Sequence, residues 1–429
     1  MQQKAGQISA IDSQKAWIAL AVCSLGYYFV TFHRMAPAVI ANEIKLEFST
    51  TSAQLGMLSS IYFFVYGLMQ IPIGYLVDRY SPGKVMGLFL MLAAVGSLLF
   101  GTASSFGAAM FARGLTSLGL ASTYVTSTKL FGRVFDRRRF ILSTGILITV
   151  GNVGSMTAAS PLAAIVDNFG WRWSFLIMGG VTAAIAAASF LVLGSKEYSP
   201  AIVSKASRGK GGISRFELML ALMLGMGVFL KNGPLFSFQG LWGVPYLMDV
   251  HALSRMQAST VLMVMSASAA LTGALGGSLC RASRMGERRF LDLNAVLYAV
   301  SWIPIAIVMK GFVIQSLWLT GALFGTTSTL VAVMMQAVLK DGVAEAGRGV
   351  AIGITNGMSI LGGAVFQPVM GYMLDSAEAG GRGIAAGYSA ALMFGLVSVW
   401  ASAALFIAAC HMAKGKGTGC EPVAMPEAS

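Results

Sequence analysis

The sequence predicts an all-α membrane protein: twelve transmembrane helices in two pseudo-symmetric six-helix bundles, with both termini in the cytoplasm. Composition is the first reason. Of the 429 residues, 56% are hydrophobic and only 11% charged, whereas soluble domains carry about 25% charged residues. The second is a series of apolar runs, each about as long as the 20 or so helical residues needed to cross a bilayer core. The third is that basic residues gather in alternate gaps between those runs.

The first six runs lie near 16–40, 53–77, 84–103, 106–131, 140–165 and 173–193. The breaks between runs are mostly charged or rich in Gly and Pro, as at Gly74–Lys84, Arg137-Arg138-Arg139 and Gly170-Trp171-Arg172. The other six lie near 217–248, 256–280, 290–309, 312–338, 350–373 and 385–410. Residues 1–15 read as a cytoplasmic N-terminus and 16–193 as the N-terminal bundle. Residues 194–216, rich in Ser, Lys and Gly, read as a central cytoplasmic loop. Residues 217–411 form the expected C-terminal bundle, and 412–429 a cytoplasmic tail.

Charge placement sets the orientation. With the N-terminus inside, most of the 30 Lys and Arg fall in the termini and even-numbered loops. Examples are Arg137–Arg139, Lys205, Arg208 and Lys210, and Arg281, Arg284, Arg288 and Arg289. Few lie on the other side: Lys45, Arg172, Arg255, Lys310 and Arg382. This is the positive-inside asymmetry. It accounts for the net charge of +13, so no nucleic-acid partner is expected. Residues 1–15 are polar and the run after them exceeds a signal-peptide core, so no cleaved leader is expected. Cys23 lies within a run, and Cys280, Cys410 and Cys420 at or beyond cytoplasmic ends, which offers no disulfide framework. The short outer loops and the lack of Asn-x-Ser/Thr suit a bacterial inner membrane.

The two halves echo each other. Gly74-Tyr-Leu-Val-Asp78-Arg79-Tyr-Ser-Pro-Gly83-Lys84 follows the second run, and Gly277-Ser-Leu-Cys-Arg281-Ala-Ser-Arg-Met-Gly286-Glu-Arg288-Arg289 follows the eighth. Arg139…Gly145…Pro161…Asp167 in the fifth run matches Arg348…Gly353…Pro368…Asp375 in the eleventh. Parallel six-helix repeats around a midplane site are a transporter architecture.

These residues resemble the major facilitator superfamily over nearly the whole chain. Gly74–Lys84 is similar to that family's signature between helices 2 and 3. Arg113 with Gly114 and Gly119 resembles the helix 4 signature, and Gly170-Trp171-Arg172-Trp173 the entry to helix 6. The fifth run has Gly151, Gly154 and Pro161 but no Gly-Pro dipeptide, which departs from the drug-antiporter signature. Arg281 stands where the second-half loop would carry an acid. The resemblance implies a conformational latch formed by Gly74, Asp78, Arg79, Gly83 and Lys84, which locks the cytoplasmic side when the outer side opens. The alternative for Asp78 is a solvated topology charge. Gly145, Gly151, Gly154, Gly353, Gly357 and Gly362 are expected to let helices approach closely.

Helical spacing nominates cavity residues on the helices that the resemblance places around a central site. The candidates are Tyr27, Thr31 and Arg34 on the first; Tyr62, Tyr66 and Gln70 on the second; and Arg113, Ser117, Tyr124 and Ser127 on the fourth. The seventh offers Lys231, Gln239, Trp242 and Tyr246, and the eleventh Asn356, Ser359 and Gln367. Lys231 stands out, because a charge in mid-membrane is costly and Asn232-Gly233-Pro234 breaks the helix directly after it. Arg34 and Arg113 lie nearer the outer ends, where snorkelling to the headgroups competes with a cavity role. Lys129 favours snorkelling, and His33 reads as a packed histidine.

No Asp or Glu lies deep in any run. A cavity with Arg34, Arg113 and Lys231 and no carboxylate attracts anions. The expected function is secondary or facilitative transport of a small organic anion or zwitterionic metabolite by alternating access. Export of hydrophobic or cationic drugs is the alternative, and a non-transporting membrane sensor or assembly factor a remote one. No catalytic cluster, metal-ligand spacing or cofactor motif is seen, so neither enzyme activity, metal nor cofactor is expected. The expected partners are the substrate and the lipid bilayer, and the expected state is a monomer.

Overall fold

The computed structural model describes residues 13–194, 213–282, 287–306 and 314–414. Among these the regular structure is helical, and eight helical stretches are long and apolar enough to cross a membrane. The central loop, the charged segment around Arg284 and the C-terminal tail fall largely outside the described residues.

Several apolar runs are not single helices, and proline explains most of the breaks. The first run divides into α1 (Ser13–Met35) and α2 (Pro37–Glu47). Pro37 has no N–H and so leaves the carbonyl of His33, four residues back, without its helical donor. After α3 (Ser52–Arg79) and α4 (Pro82–Gly101), the fourth run divides into α5 (Phe106–Leu120) and α6 (Ser122–Val134). The fifth forms α7 (Arg137–Thr157) and α8 (Ser160–Phe169), interrupted just before Pro161. Gly170 then adopts a φ of +81° that other residues resist, which turns the chain into α9 (Trp171–Leu193).

The seventh run is the most irregular. It comprises α10 (Arg215–Ser237), a π-helical turn (Phe238–Trp242) and α11 (Gly243–His251). Pro234 inside α10 removes one rung of the hydrogen-bond ladder, and the π turn follows it directly. The remaining helices are α12 (Arg255–Ala282), α13 (Glu287–Ser301), α14 (Ile303–Ala306), α15 (Ile314–Gly342), α16 (Glu345–Ala379) and α17 (Ile384–Lys414).

The first nine helices meet the last eight chiefly where α3 packs against α16 and α7–α8 against α12, with α2 joining them through the π turn and α11. Small residues make the first of these seams possible. A Cβ on Gly56 would lie 2.6 Å from Cα of Pro368, and one on Gly371 would collide with the Ser52 carbonyl. Gly151 and Gly154 serve α7 similarly, against Tyr27, Tyr28 and Thr31 of α1, while Gly362 receives α10 near Gly233. Gly145, Gly353 and Gly357 differ from the expectation of close approach, since a Cβ on any of them would meet nothing within 4 Å.

Candidate functional site

Arg34, in the last turn of α1, lies against the seam between the two groups of helices. Its guanidinium carbon sits 5.1 Å from the ring centre of Phe236 on α10. That ring in turn stacks on Phe63 of α3, with centroids 5.3 Å apart. The charge of Arg34 reaches Tyr27, Tyr62 and Tyr66. Tyr27 packs on Tyr124 at 5.5 Å, and Tyr66 stacks on Tyr62 at 6.1 Å. Gly151 makes room for Tyr27, whose ring a Cβ there would strike. Among the described residues no acceptor meets the Arg34 guanidinium, and its Nε is enclosed without a partner. Tyr27 and Tyr66 thus lie within electrostatic range of this one cation, and Tyr124 packs on Tyr27 behind it.

The other two deep cations are occupied by protein. Arg113 is 2% exposed. It donates from Nη2 to the His33 carbonyl at 2.5 Å and lies over the Tyr62 ring at 4.9 Å. That carbonyl is the one Pro37 leaves unpaired, so Arg113 completes the α1–α2 break. Lys231 is 3% exposed. Its Nζ donates to Asn232 Oδ1 at 3.0 Å and to Ser328 Oγ at 3.1 Å, above the ring of Tyr298. Asn232 donates onward to Ser359 at 2.6 Å, and the Tyr298 hydroxyl donates to the Lys231 carbonyl. These neutral partners hold Lys231 among α10, α13 and α15.

Most of the other candidates hydrogen-bond to backbone carbonyls within the protein. Thr31 donates to the carbonyls of Gly151 and Tyr28, and Tyr62 to that of Val30. Ser117 donates to the Tyr62 carbonyl, Ser127 to that of Thr123, and Gln70 to those of Tyr66 and Ala121. Trp242 donates to the Gln367 carbonyl, Gln367 to that of Phe236, and Tyr246 to that of Ile305. Gln239 lines a small cleft with Met35, Ser155 and Ser266. Asn356 is exposed on α16. His33 is enclosed by Phe29, Phe32 and Phe175.

The sequence reading missed Phe63 and Phe236, and it missed a set of contacts at one end of the molecule. Asp375 on α16 accepts from the backbone N–H groups of Ser52 and Ala53, each at 2.8 Å, at the start of α3. Those are donors that a helix N-terminus leaves free. Thr51 and Gln54 satisfy the neighbouring ones through a capping box. Arg255, at the start of α12, binds Asp167 of α8 at 2.6 Å and also pairs with Glu43 of α2. The only sequence signal was the matched placement of Asp167 and Asp375 in the repeat. Both prove to contact the start of the helix facing them across their own seam, α3 for Asp375 and α12 for Asp167.

At the other end Asp78 is held within its own half. Lys129 Nζ binds its carboxylate at 2.6 Å and the Gly74 carbonyl at 2.7 Å. Arg79 lies over Tyr75 at 4.2 Å, Lys84 is exposed, and Gly83 gives way to the backbone at Leu193.

Comparison with known proteins bears on the fold and the family. The chain resembles a solved bacterial homologue of the human lysosomal transporter Spinster, described as inward-facing and unoccupied. The TM-score is 0.71 at 19% identity, over 96% of this chain and 99% of that one. A "Probable sulfoacetate transporter" of Cupriavidus necator is 27% identical over 163 residues, 38% of either chain. An "MFS-type efflux pump" of Mycolicibacterium smegmatis is 26% identical over 51% of this chain and 52% of its own. "Monocarboxylate transporter 3" of Mus musculus is 31% identical over 40% of this chain and 35% of its own. The alignments thus span about half or less of these relatives. The family model of the Major Facilitator Superfamily matches residues 16–244, more than half of the sequence. With that match, the helical architecture and the shared fold, the chain belongs to the Major Facilitator Superfamily of membrane transporters.

Proposed function

We propose that the chain carries small organic anions, or zwitterions held by a carboxylate, across the membrane by alternating access. Arg34 is the group that receives the anion. The observation that carries this reading is its guanidinium, half-buried at the seam over Phe236 and within range of Tyr27 and Tyr66, with no acceptor of its own among the described residues. A cation in a low-dielectric site with no carboxylate beside it attracts an anion. The tyrosine hydroxyls supply further donors to a carboxylate or sulfonate. Two of the relatives carry acids by name, monocarboxylates with one acid group and sulfoacetate with two, which supports the acid class and leaves open how many charges this cargo bears.

The Arg79 end reads as cytoplasmic by the positive-inside rule, in the bacterial inner membrane, with residues 16–193 and 217–411 as the two moving bundles. The contacts of Asp375 and Arg255 then close the outer end. Toward the cytoplasm α3 and α16 present exposed residues, including Leu68, Ile71, Val350 and Asn356, in keeping with an inward-facing state. Asp78 is then a latch in its released position, parked on Lys129. In this reading it would leave Lys129 for the opposite bundle when the cytoplasmic side closes.

A second reading, export of hydrophobic cations, draws on the efflux-pump relative and on the aromatic walls of the site. The sign of Arg34 opposes it. Benzoate, benzamide and benzamidine share a shape and differ in charge, so melting shifts of the purified protein separate the two readings. A ligand at a hundred times its Kd adds about 2.7 kcal/mol of stability. Stabilisation by benzoate alone supports anion transport; stabilisation by benzamidine alone replaces it with the cation reading.

A further inference from the structure

We infer that the site accepts one anionic group per cargo, so that monoanions bind and matched dianions are rejected. This rests on the anion reading above and narrows it. A dianion buried at the seam needs a second cation, or a tight set of donors, for its second charge; otherwise that charge loses water without compensation. Of the three deep cations, only Arg34 has its charged group without an acceptor among the described residues.

Arg113 is held by the His33 carbonyl at 2.5 Å and the Tyr62 ring at 4.9 Å. Withdrawing it would orphan the carbonyl that Pro37 freed. Lys231 is held by Asn232, Ser328 and Tyr298. Withdrawing it would break a chain of hydrogen bonds that continues through Asn232 to Ser359. On α6, Lys129 is neutralised by Asp78 at 2.6 Å, and Arg133 Nη2 donates to the Val77 carbonyl.

The neighbours seen at Arg34 are uncharged: the Phe236 ring lies against it with Phe63 stacked behind, and the phenols of Tyr27 and Tyr66 lie within range of its charge, with Tyr124 packed on Tyr27. Phenol hydroxyls suit the second oxygen of the same carboxylate, or hydroxyls on the body of the cargo. They are poor hosts for a second full charge. The count of free cations therefore sets the charge of the cargo, and the tyrosine ring sets its preference for polar or aromatic bodies.

The test uses matched pairs on detergent-purified wild-type protein: lactate against malate, gluconate against glucarate, and benzoate against phthalate. Dissociation constants are read from melting shifts titrated with each acid at fixed ionic strength. Each monoanion is expected to bind at least about tenfold more tightly than its dianionic partner, since a missing partner group discriminates at least as strongly as a missing methylene. Arg34→Gln is expected to erase the monoanion response. Dianions binding as well as or better than their partners would overturn the inference and leave the organic-anion reading standing. Failure of every acid in the panel to bind, or binding of benzamidine in their place, would overturn both. The wild-type comparison decides the matter even if Arg34→Gln fails to fold.

Discussion

Asp375→Asn isolates the contact that ties α16 to the start of α3. The carboxylate accepts two backbone N–H bonds of 2.8 Å from Ser52 and Ala53. An amide offers one oxygen, so one bond is lost and the other becomes neutral. Hydrogen bonds to a charged group contribute about 1.5–3 kcal/mol and neutral ones about 1. The negative charge also interacts favourably with the N-terminus of α3, by about 0.3–1 kcal/mol when exposed. Asp375 is partly exposed, so we discount the total to about 1–2 kcal/mol, which moves an equilibrium by about 5- to 30-fold. The contact exists only where α3 and α16 are closed, so the loss falls on that state and the population shifts toward opening. Nitroxide labels at Phe169 on α8 and Ala379 on α16, in a background without native cysteines, report the separation. The variant should gain a long-distance population at the expense of the short one. An unchanged distribution would mean that Asp375 does not hold this end closed.

Three further outcomes follow from the same geometry. Gly56→Ala places a Cβ 2.6 Å from Cα of Pro368 and 2.7 Å from the Gln367 carbonyl, atoms that cannot rotate aside, so it should open the same label pair; a closed distribution at unchanged stability would contradict the tight crossing. Asp78→Asn should alter unfolding stability by no more than about 1 kcal/mol, because its pair with Lys129 is largely exposed, while slowing uptake; a large stability loss with normal uptake would make the pair structural. Lys231→Gln should keep benzoate affinity within a few-fold, whereas Arg34→Gln should lose it, as titrated melting shifts would show; the reverse order would move the anion site to Lys231.

The helices and the charge asymmetry were legible because each depends on composition over about 20 residues, and single misplacements average out. The spacing placed Tyr27 and Arg34 on one stripe of the first helix. Thr31 belongs to the same stripe yet serves the α1–α7 contact, since a stripe does not say which neighbour each residue meets. In the seventh run the helical register is interrupted. The π turn at Phe238–Trp242 follows Pro234 and shifts the helix register, so Lys231, Gln239 and Trp242 do not form one line. Phe236, rather than Lys231, lies beneath Arg34. The roles of Arg113 and Asp375 depend on partners about 80 and 320 residues away, His33 and Ser52. No local pattern encodes such a pairing, although the repeat did mark Asp375 and Asp167 as equivalent.

The central claim is that an organic anion crosses the membrane by way of Arg34. Its most direct test is uptake of radiolabelled benzoate and benzamidine into proteoliposomes, with wild-type protein and with Arg34→Gln at matched reconstitution. Benzoate permeates bilayers in its acid form, so the pH is held well above its ionisation and protein-free liposomes are subtracted. The account predicts saturable benzoate uptake by the wild type, competed by unlabelled lactate or gluconate and lost in Arg34→Gln. Saturable benzamidine uptake that persists in Arg34→Gln, with no benzoate uptake above the protein-free level, would contradict it.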